Sequence, residues 1–361
     1  YSKTNVQVEG VDEADIVKSD GRYIYAFSKN RLVIVDAYPA ESGKIVSTTE
    51  LAGLTPQEMF ISENRLLIFA QQDYYGNYGE ENSTLQRRYA YYDGGTVVQL
   101  YDITDRSKPV MEKEIEFSGS YLTSRLIGKN AYFVINSYPN YGPCGIYGCR
   151  GLEEPDMDTE PATGTKPAAD QNNIVPMMTE DGVEKRIADV REIGYIPPMP
   201  IQSFVTIASL NLDSKRLEKE TIAASAQSVF ASEENIYLAS TAWLANEPVP
   251  PKDGNASVIG DIEAGAKIAA QKVIGIPGRI LYGDSEKTVI NKFGMDEDRI
   301  GFIGQGIVPG HVLNQFSMDE YEGNFRIATT AGQLSRGGSQ TSNNLYVLDG
   351  KMKTIGTLEG L

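Results

Sequence analysis

The sequence predicts an all-β chain built by repeating a four-stranded antiparallel unit. Three observations carry that prediction. Apolar residues follow the two-residue period of strands in short runs such as "RYIYAFS", where Tyr23, Tyr25 and Phe27 share one face and Ile24 and Ala26 the other, both able to be buried. Turn-forming pairs separate the runs, among them Asp20-Gly21, Lys29-Asn30 and Ser42-Gly43. The scheme then returns along the chain at a spacing of ~40 residues.

The first unit, about 12–55, reads as a lead-in strand "ADIVKSDG" followed by "RYIYAFS", "RLVIVDA" and "KIVSTTEL". The second, about 56–119, opens with "PQEMFISENRLLIFAQQ" and closes with "TVVQLYDITDRSKPVMEKEIEF". "SYLTSRLIGKNAYFVINSY" opens the third, about 120–225, and "SFVTIASLNLDSKRLEKETIAAS" completes it after an insertion at 139–200. The fourth, about 226–310, runs from "AQSVFASEENIYLASTAW" to "KTVINKFGMDEDRIGFIGQGIVPG" around an insertion at 246–287. In the fifth, about 311–361, "HVLNQFSMDEYEGNFRIATTA" is completed by "NNLYVLDGKMKTIGTLEGL". Antiparallel four-stranded units at this period are the blades of a β-propeller. A blade buries both faces against its neighbours, which accounts for strands apolar on both sides. The expected architecture is one β-propeller domain over 1–361, with about five blade units.

The first insertion contains "EEPDMDTEPATGTKPAADQNN", rich in Pro, Thr and acid, and reads as a long surface loop. The second contains "GDIEAGAKIAAQKVI", where Ile262, Ala266, Ala269 and Val273 fall at helical spacing and predict a short helix. Long loops on one rim of such a ring often form its binding surface.

Composition excludes several function classes. The formal net charge of −16 repels phosphate backbones, and no Lys/Arg cluster offsets it, so nucleic acid and anionic membranes are unexpected partners. No apolar run approaches the ~20 residues needed to cross a bilayer. No signal peptide is evident, and residue 1 reads like mature sequence, so a targeting segment is expected to have been removed or omitted. With one histidine, His311, and two cysteines, a zinc site of several His or Cys ligands cannot be assembled. No G-x-S-x-G elbow accompanies His311. Cys144 and Cys149 lie close together in "PNYGPCGIYGCR". A local disulfide is the first reading, worth roughly 2 kcal/mol in the chain-entropy model, against two free thiols or an incomplete metal half-site. A disulfide would indicate an oxidising compartment.

The motifs "TNVQVEGVDEADIVKSDGRYIY" and "GHVLNQFSMDEYEGNFRIATT" make the chain resemble secreted bacterial and archaeal proteins with a C-terminal beta-propeller domain. The likeness runs through the chain apart from the two insertions. It implies a secreted or cell-surface propeller without an assigned activity. It also implies further blades beyond "TIGTLEGL", so that the five units could belong to a seven- or eight-bladed ring, the alternative being a five-unit set able to close alone.

Several residues are candidates for a site. Asp12 and Asp15 precede the first strand, and Asp319 and Glu320 repeat the acidic theme in the fifth unit; together they could bind Ca²⁺, which takes six to eight oxygens. The competing reading is that Asp12 and Asp15 accept backbone N–H groups and lock the N-terminal segment onto the ring, and Asp20 has a local turn role. The EF-hand pattern is absent. Tyr74, Tyr75, Tyr78, Tyr89, Tyr91 and Tyr92 crowd one loop of the second unit and could stack on sugars or hold a protein. His311 is a satisfied hydrogen-bonding residue, a channel ligand or an acid/base group. Two function classes follow. The first is an extracellular, non-enzymatic binding or scaffold module with a protein or glycan partner and no required cofactor. The second is a glycoside hydrolase using two of Asp15, Glu58 and Glu234, which would need carboxylates ~5–5.5 Å or ~6.5–9.5 Å apart.

Overall fold

The computed structural model describes residues 6–73, 95–139, 174–198, 203–245, 284–296, 299–332 and 341–361. Strand β1 (Val11–Glu13) precedes the first unit, which is β2 (Val17–Ser19), β3 (Tyr23–Ser28), β4 (Arg31–Asp36) and β5 (Lys44–Glu50). The second unit is β6 (Leu54–Ser62), β7 (Arg65–Gln72), β8 (Gly95–Asp102) and β9 (Val110–Ser118). The third begins with β10 (Ser120–Ile127) and β11 (Asn130–Ser137); after β12 (Met177–Glu180), β13 (Val183–Arg186) and β14 (Gly194–Tyr195) it resumes with β15 (Phe204–Asn211) and β16 (Leu217–Ala223). The fourth is β17 (Ser228–Ala231), β18 (Asn235–Ala245), β19 (Asp284–Asp296) and β20 (Arg299–Pro309). The fifth is β21 (Met318–Tyr321), β22 (Asn324–Ala331), β23 (Ser342–Leu348) and β24 (Thr354–Leu358). All five expected units are present as antiparallel meanders.

Strand alternation assigns each residue to one of two neighbouring cores. In β7, Leu66, Ile68 and Ala70 pack with Tyr25, Leu32 and Ile34 of unit one, whereas Leu67 and Phe69 pack with Ala131, Phe133 and Ile135 of unit three. In β11, Phe133 faces unit two and Val134 faces Ile236 and Leu238 of unit four. In β18, Tyr237 turns the other way and stacks on Phe325 of unit five, with centroids 4.2 Å apart. Full burial of such a side chain contributes roughly 1.5–3 kcal/mol. The units are therefore held by a sandwich of cores, 1/2, 2/3, 3/4 and 4/5.

The two end faces differ from the sequence expectation. Tyr25, Leu32 and Ile34 are fully buried against unit two, but Ile24 is 38% exposed and Ile45 is 63% exposed on the opposite face. Unit five is alike: Phe325, Ile327 and Leu348 are buried against unit four, while Leu345 and Leu358, paired across strands, are exposed. Among the described residues no core cluster joins unit five to unit one.

Two segments pair at long range, which local pattern did not reveal. The expected lead-in strand is confined to Val17–Ser19; the residues before it form a strap across the inner edges of the units. Gln7 reaches unit five through the carbonyls of Gln315 and Met318. Gly10 lies against Glu233 of unit four, where a Cβ would come within 2.2 Å of the Glu233 carboxylate. Strand β1 pairs with β10 of unit three, and Asp15 exchanges backbone hydrogen bonds with Met59 of unit two. The insertion at 139–200 is not loop throughout. Its hairpin β12–β13 extends the outer edge of unit two, and β14 adds parallel to β16 of unit three. Val175, Met178 and Ile187 anchor it in the 2/3 core. The helix expected around Ile262–Val273 lies outside the described residues.

Candidate functional site

A cavity of about 700 Å³ lies where the strap meets the first turns of units one and two. Its walls are built by turns, for a local reason. Gly21 adopts φ +94°, and Asp20 closes the turn by accepting from the N–H groups of Arg22 (3.1 Å) and Tyr23 (2.8 Å). The second Asp20 oxygen accepts from the Tyr25 hydroxyl at 2.8 Å. Arg106, in the β8–β9 turn, donates to the Tyr25 hydroxyl, to Asn64 Oδ1 and to the Glu63 carbonyl, and lies 3.4 Å from Asp20. One guanidinium thus joins unit one to unit two. Burial opposes ionisation of Asp20, but the Tyr23 N–H, the Tyr25 hydroxyl, the Arg22 N–H and Arg106 outweigh it and hold the carboxyl below its ordinary value. Burial pushes the Tyr25 phenol well above its ordinary value.

Further charges of the cavity are paired too. Lys18, 9% exposed, donates to both Asp12 oxygens at 2.9 and 3.0 Å and to the Glu13 carbonyl. Arg22 forms a two-pronged pair with Asp36, and Glu63 meets Lys129 of unit three at 2.9 Å. The Tyr23 ring has the guanidiniums of Arg22 and Arg106 within 5.2 and 5.7 Å.

The sequence-derived candidates fall in separate places. Asp12 belongs to Lys18, and the Asp15 side chain is exposed and accepts from the Ile16 N–H. Asp319 is bound in two-pronged fashion by Arg326. Glu320 reaches into unit four and accepts from Ser232 (2.7 Å), Asn235 (3.2 Å) and the Tyr237 hydroxyl (2.9 Å). Among the described residues no three His, Cys, Asp or Glu side chains gather as a metal-holding group. Glu58 accepts from the Tyr121 hydroxyl at 2.5 Å, while Glu234 is exposed in the β17–β18 turn. His311 bridges Thr330 through its backbone and sets Nδ1 3.0 Å from Glu286, so it joins units four and five. Tyr74, Tyr75, Tyr78, Tyr89, Tyr91 and Tyr92, with Cys144 and Cys149, lie outside the described residues.

Sequence reading singled out neither Arg106 nor Tyr23 as a site residue, since their roles arise from contact between units. It also passed over Glu114 and Glu116, which border a second cavity of about 400 Å³ on β9. Burial, then the neighbouring Glu114 charge, raises the Glu116 carboxyl. A period-two pair of acids on a strand was the available signal.

The beta propeller domain model matches residues 1–361. The chain belongs to the beta propeller domain family. This propeller is 25% identical over 376 residues to an uncharacterized protein of Methanocaldococcus jannaschii, covering 100% of this chain and 54% of the relative. It is 26% identical over 406 residues to an uncharacterized protein of Archaeoglobus fulgidus, covering 100% and 56%. The propeller thus spans about half the length of the curated relatives it matches. A Synechocystis apocarotenoid oxygenase aligns over 95% of this chain and 70% of its own at 9% identity, with a TM-score of 0.28, a likeness too weak to carry an argument. No helix among the described residues is long and apolar enough to cross a membrane, which says nothing of β-barrels.

Proposed function

We propose that the propeller is a non-enzymatic binding or scaffold module, secreted or held at the cell surface, that receives a protein or glycan partner at the cavity between the strap and units one and two. One observation carries this reading. Three of the carboxylates of that wall face a cation of the same chain: Asp12 with Lys18, Asp20 with Arg106, Glu63 with Lys129. Matched charges held by turns form a polar surface set in place before a partner arrives, which limits the ordering cost of binding. General acid-base chemistry asks for a carboxyl free to exchange its proton with a substrate. The secreted location rests on the resemblance of the opening motifs, and the reading gives no role to a cation, since Asp12 and Asp319 are taken by Lys18 and Arg326.

A glycoside hydrolase is the second reading. Asp15, Glu58 and Glu234 support it poorly because they occupy three different environments; the observation in its favour is Glu116, raised beside Glu114 in the second cavity. Glycan and peptide arrays, followed by calorimetry on hits and by a panel of chromogenic aryl glycosides, separate the two. The binding reading expects a saturable ligand weakened by Tyr23→Ala, with no turnover. Turnover of any glycoside, abolished by Glu116→Gln or Glu58→Gln, would sink it.

A further inference from the structure

The sequence holds one tryptophan, and the fold leaves it in the open. Trp243 is 43% exposed, although it is the side chain with the most apolar area to gain from burial. It does not sit in a loop. Strands β18 and β19 pair from Asn235↔Gly294 to Ala245↔Asp284, with Trp243 directly opposite Glu286. Residues paired in this way project from the same face of a sheet, and alternation says which face. Tyr237, Ala239 and Ile290 on that face belong to the 4/5 core. The face continues through the pair Thr241↔Thr288 to Trp243 and Glu286, which lie beyond the core. The first turns of the units, which wall the strap cavity, lie at the Asn235 end of β18, and Trp243 lies at the other end.

A second element completes the corner. Gly310 adopts φ +82°, and a Cβ there would come within 2.6 Å of the Thr330 carbonyl, so glycine lets the chain cross closely from unit four to unit five. The crossing delivers His311. Its backbone exchanges two hydrogen bonds with Thr330, and its Nδ1 lies 3.0 Å from Glu286 Oε2. Glu286 Oε1, His311 Nε2 and the indole N–H have no hydrogen-bond partner among the described residues.

We propose that Trp243, Glu286 and His311 form a binding platform for a neutral glycan, on the rim opposite the strap cavity and independent of it. The chemistry selects the ligand class. A pyranose offers a face of C–H groups that packs on an open aromatic ring, and a margin of hydroxyls that both donate and accept. The platform supplies the counterparts: an exposed indole, a carboxylate oxygen and an imidazole nitrogen beside it. An acidic sugar would meet Glu286 and a chain of net charge −16. A quaternary ammonium is held by a cage of aromatic rings, whereas the indole meets no other ring among the described residues. Paired strands and a glycine-fixed crossing hold the three groups before a sugar arrives, which limits the ordering cost of binding.

The single tryptophan makes the test direct, because all indole fluorescence of the chain comes from Trp243. The intact chain is titrated with cellohexaose, xylohexaose, mannohexaose and chitohexaose, read by emission and by acrylamide quenching. The expected result is a saturable blue shift with at least one sugar, protection from acrylamide, and a dissociation constant below about 1 mM. Calorimetry with that sugar should show binding weakened at least ~10-fold by Trp243→Ala and by Glu286→Gln, and kept by Trp243→Tyr. Tyr23→Ala, in the strap cavity, should leave it unchanged, which separates this site from the one proposed above. No response to any of the four sugars overturns the proposal, as does a sugar whose binding Trp243→Ala leaves intact. A response to unglycosylated peptides or to choline in place of the sugars overturns it too, since the platform then serves another ligand. Should a variant fail to fold, quenching of the unmodified chain decides: a bound sugar that shields Trp243 from acrylamide supports the platform, and one that leaves it unshielded overturns it.

Discussion

Gln7 donates its side-chain amide to the Met318 carbonyl at 3.0 Å, and to the Gln315 carbonyl at 2.9 Å, tying the start of the strap to the opening of unit five. Arg125 of unit three reaches the same turn through Gln315 Oε1 at 2.8 Å and lies 3.6 Å from Glu13 of the strap. The strap thus gives the five units one shared segment at their inner edges.

Replacing Gln7 by Ala should release the strap from unit five. Two hydrogen bonds are lost, at roughly 0.5–1.5 kcal/mol each. Amide exchange at residues 315–318 is expected to quicken while the 1/2 core stays protected. Unchanged exchange at those amides would show that the strap contact is incidental.

The Glu320 lock between units four and five should depend on its acceptor more than on any one donor. Tyr237→Phe leaves Ser232 and Asn235 bound and is expected to cost about 1 kcal/mol. Glu320→Leu strands three donors, and an unsatisfied buried donor costs about 1–3 kcal/mol, so the loss should be larger. Chemical denaturation of both variants measures the difference; equal losses would mean that the tyrosine alone makes the lock.

The end faces predict a contrast. Phe133, fully buried with Phe69 and Phe117 at centroid distances of 5.3 and 5.6 Å, should cost about 3–5 kcal/mol when cut to Ala. Ile45→Lys, at a position 63% exposed, should change stability by less than about 0.5 kcal/mol. A large loss at Ile45 would mean that the unit-one face is covered in this chain.

Two acids should respond to pH with opposite sign. The folded value of Asp20 lies below its unfolded value, so its contribution is full above pH ~3.9 and is lost as pH falls through the folded value. Asp20→Asn, which keeps an acceptor for the turn, should flatten the acid limb of the stability curve. Burial, then Glu114, raises Glu116 in the fold, so its ionisation at neutral pH opposes folding. Glu116→Gln should raise the melting temperature at pH 7, and the gain should fade below pH ~4.3. Parallel curves for variant and parent would contradict each assignment.

By itself the sequence determined the strands, the turns and the count of five units. These are local properties: a two-residue apolar period, and residues such as Gly21 that accept the backbone angles of a turn. It also specified both faces of each strand, which is why Leu66 and Leu67, neighbours in β7, enter different cores. Only the tertiary structure decided which faces are covered, and it left those of Ile24 and Leu345 open. It alone paired the acidic opening, giving Asp12 to Lys18 and β1 to a strand more than a hundred residues away. It likewise placed Met177–Arg186 on the edge of unit two. The physical reason is common to all three cases. Local pattern records what a residue needs, an apolar neighbour or an opposite charge, while the identity of the partner depends on which distant segments share the same few ångströms once the units have stacked.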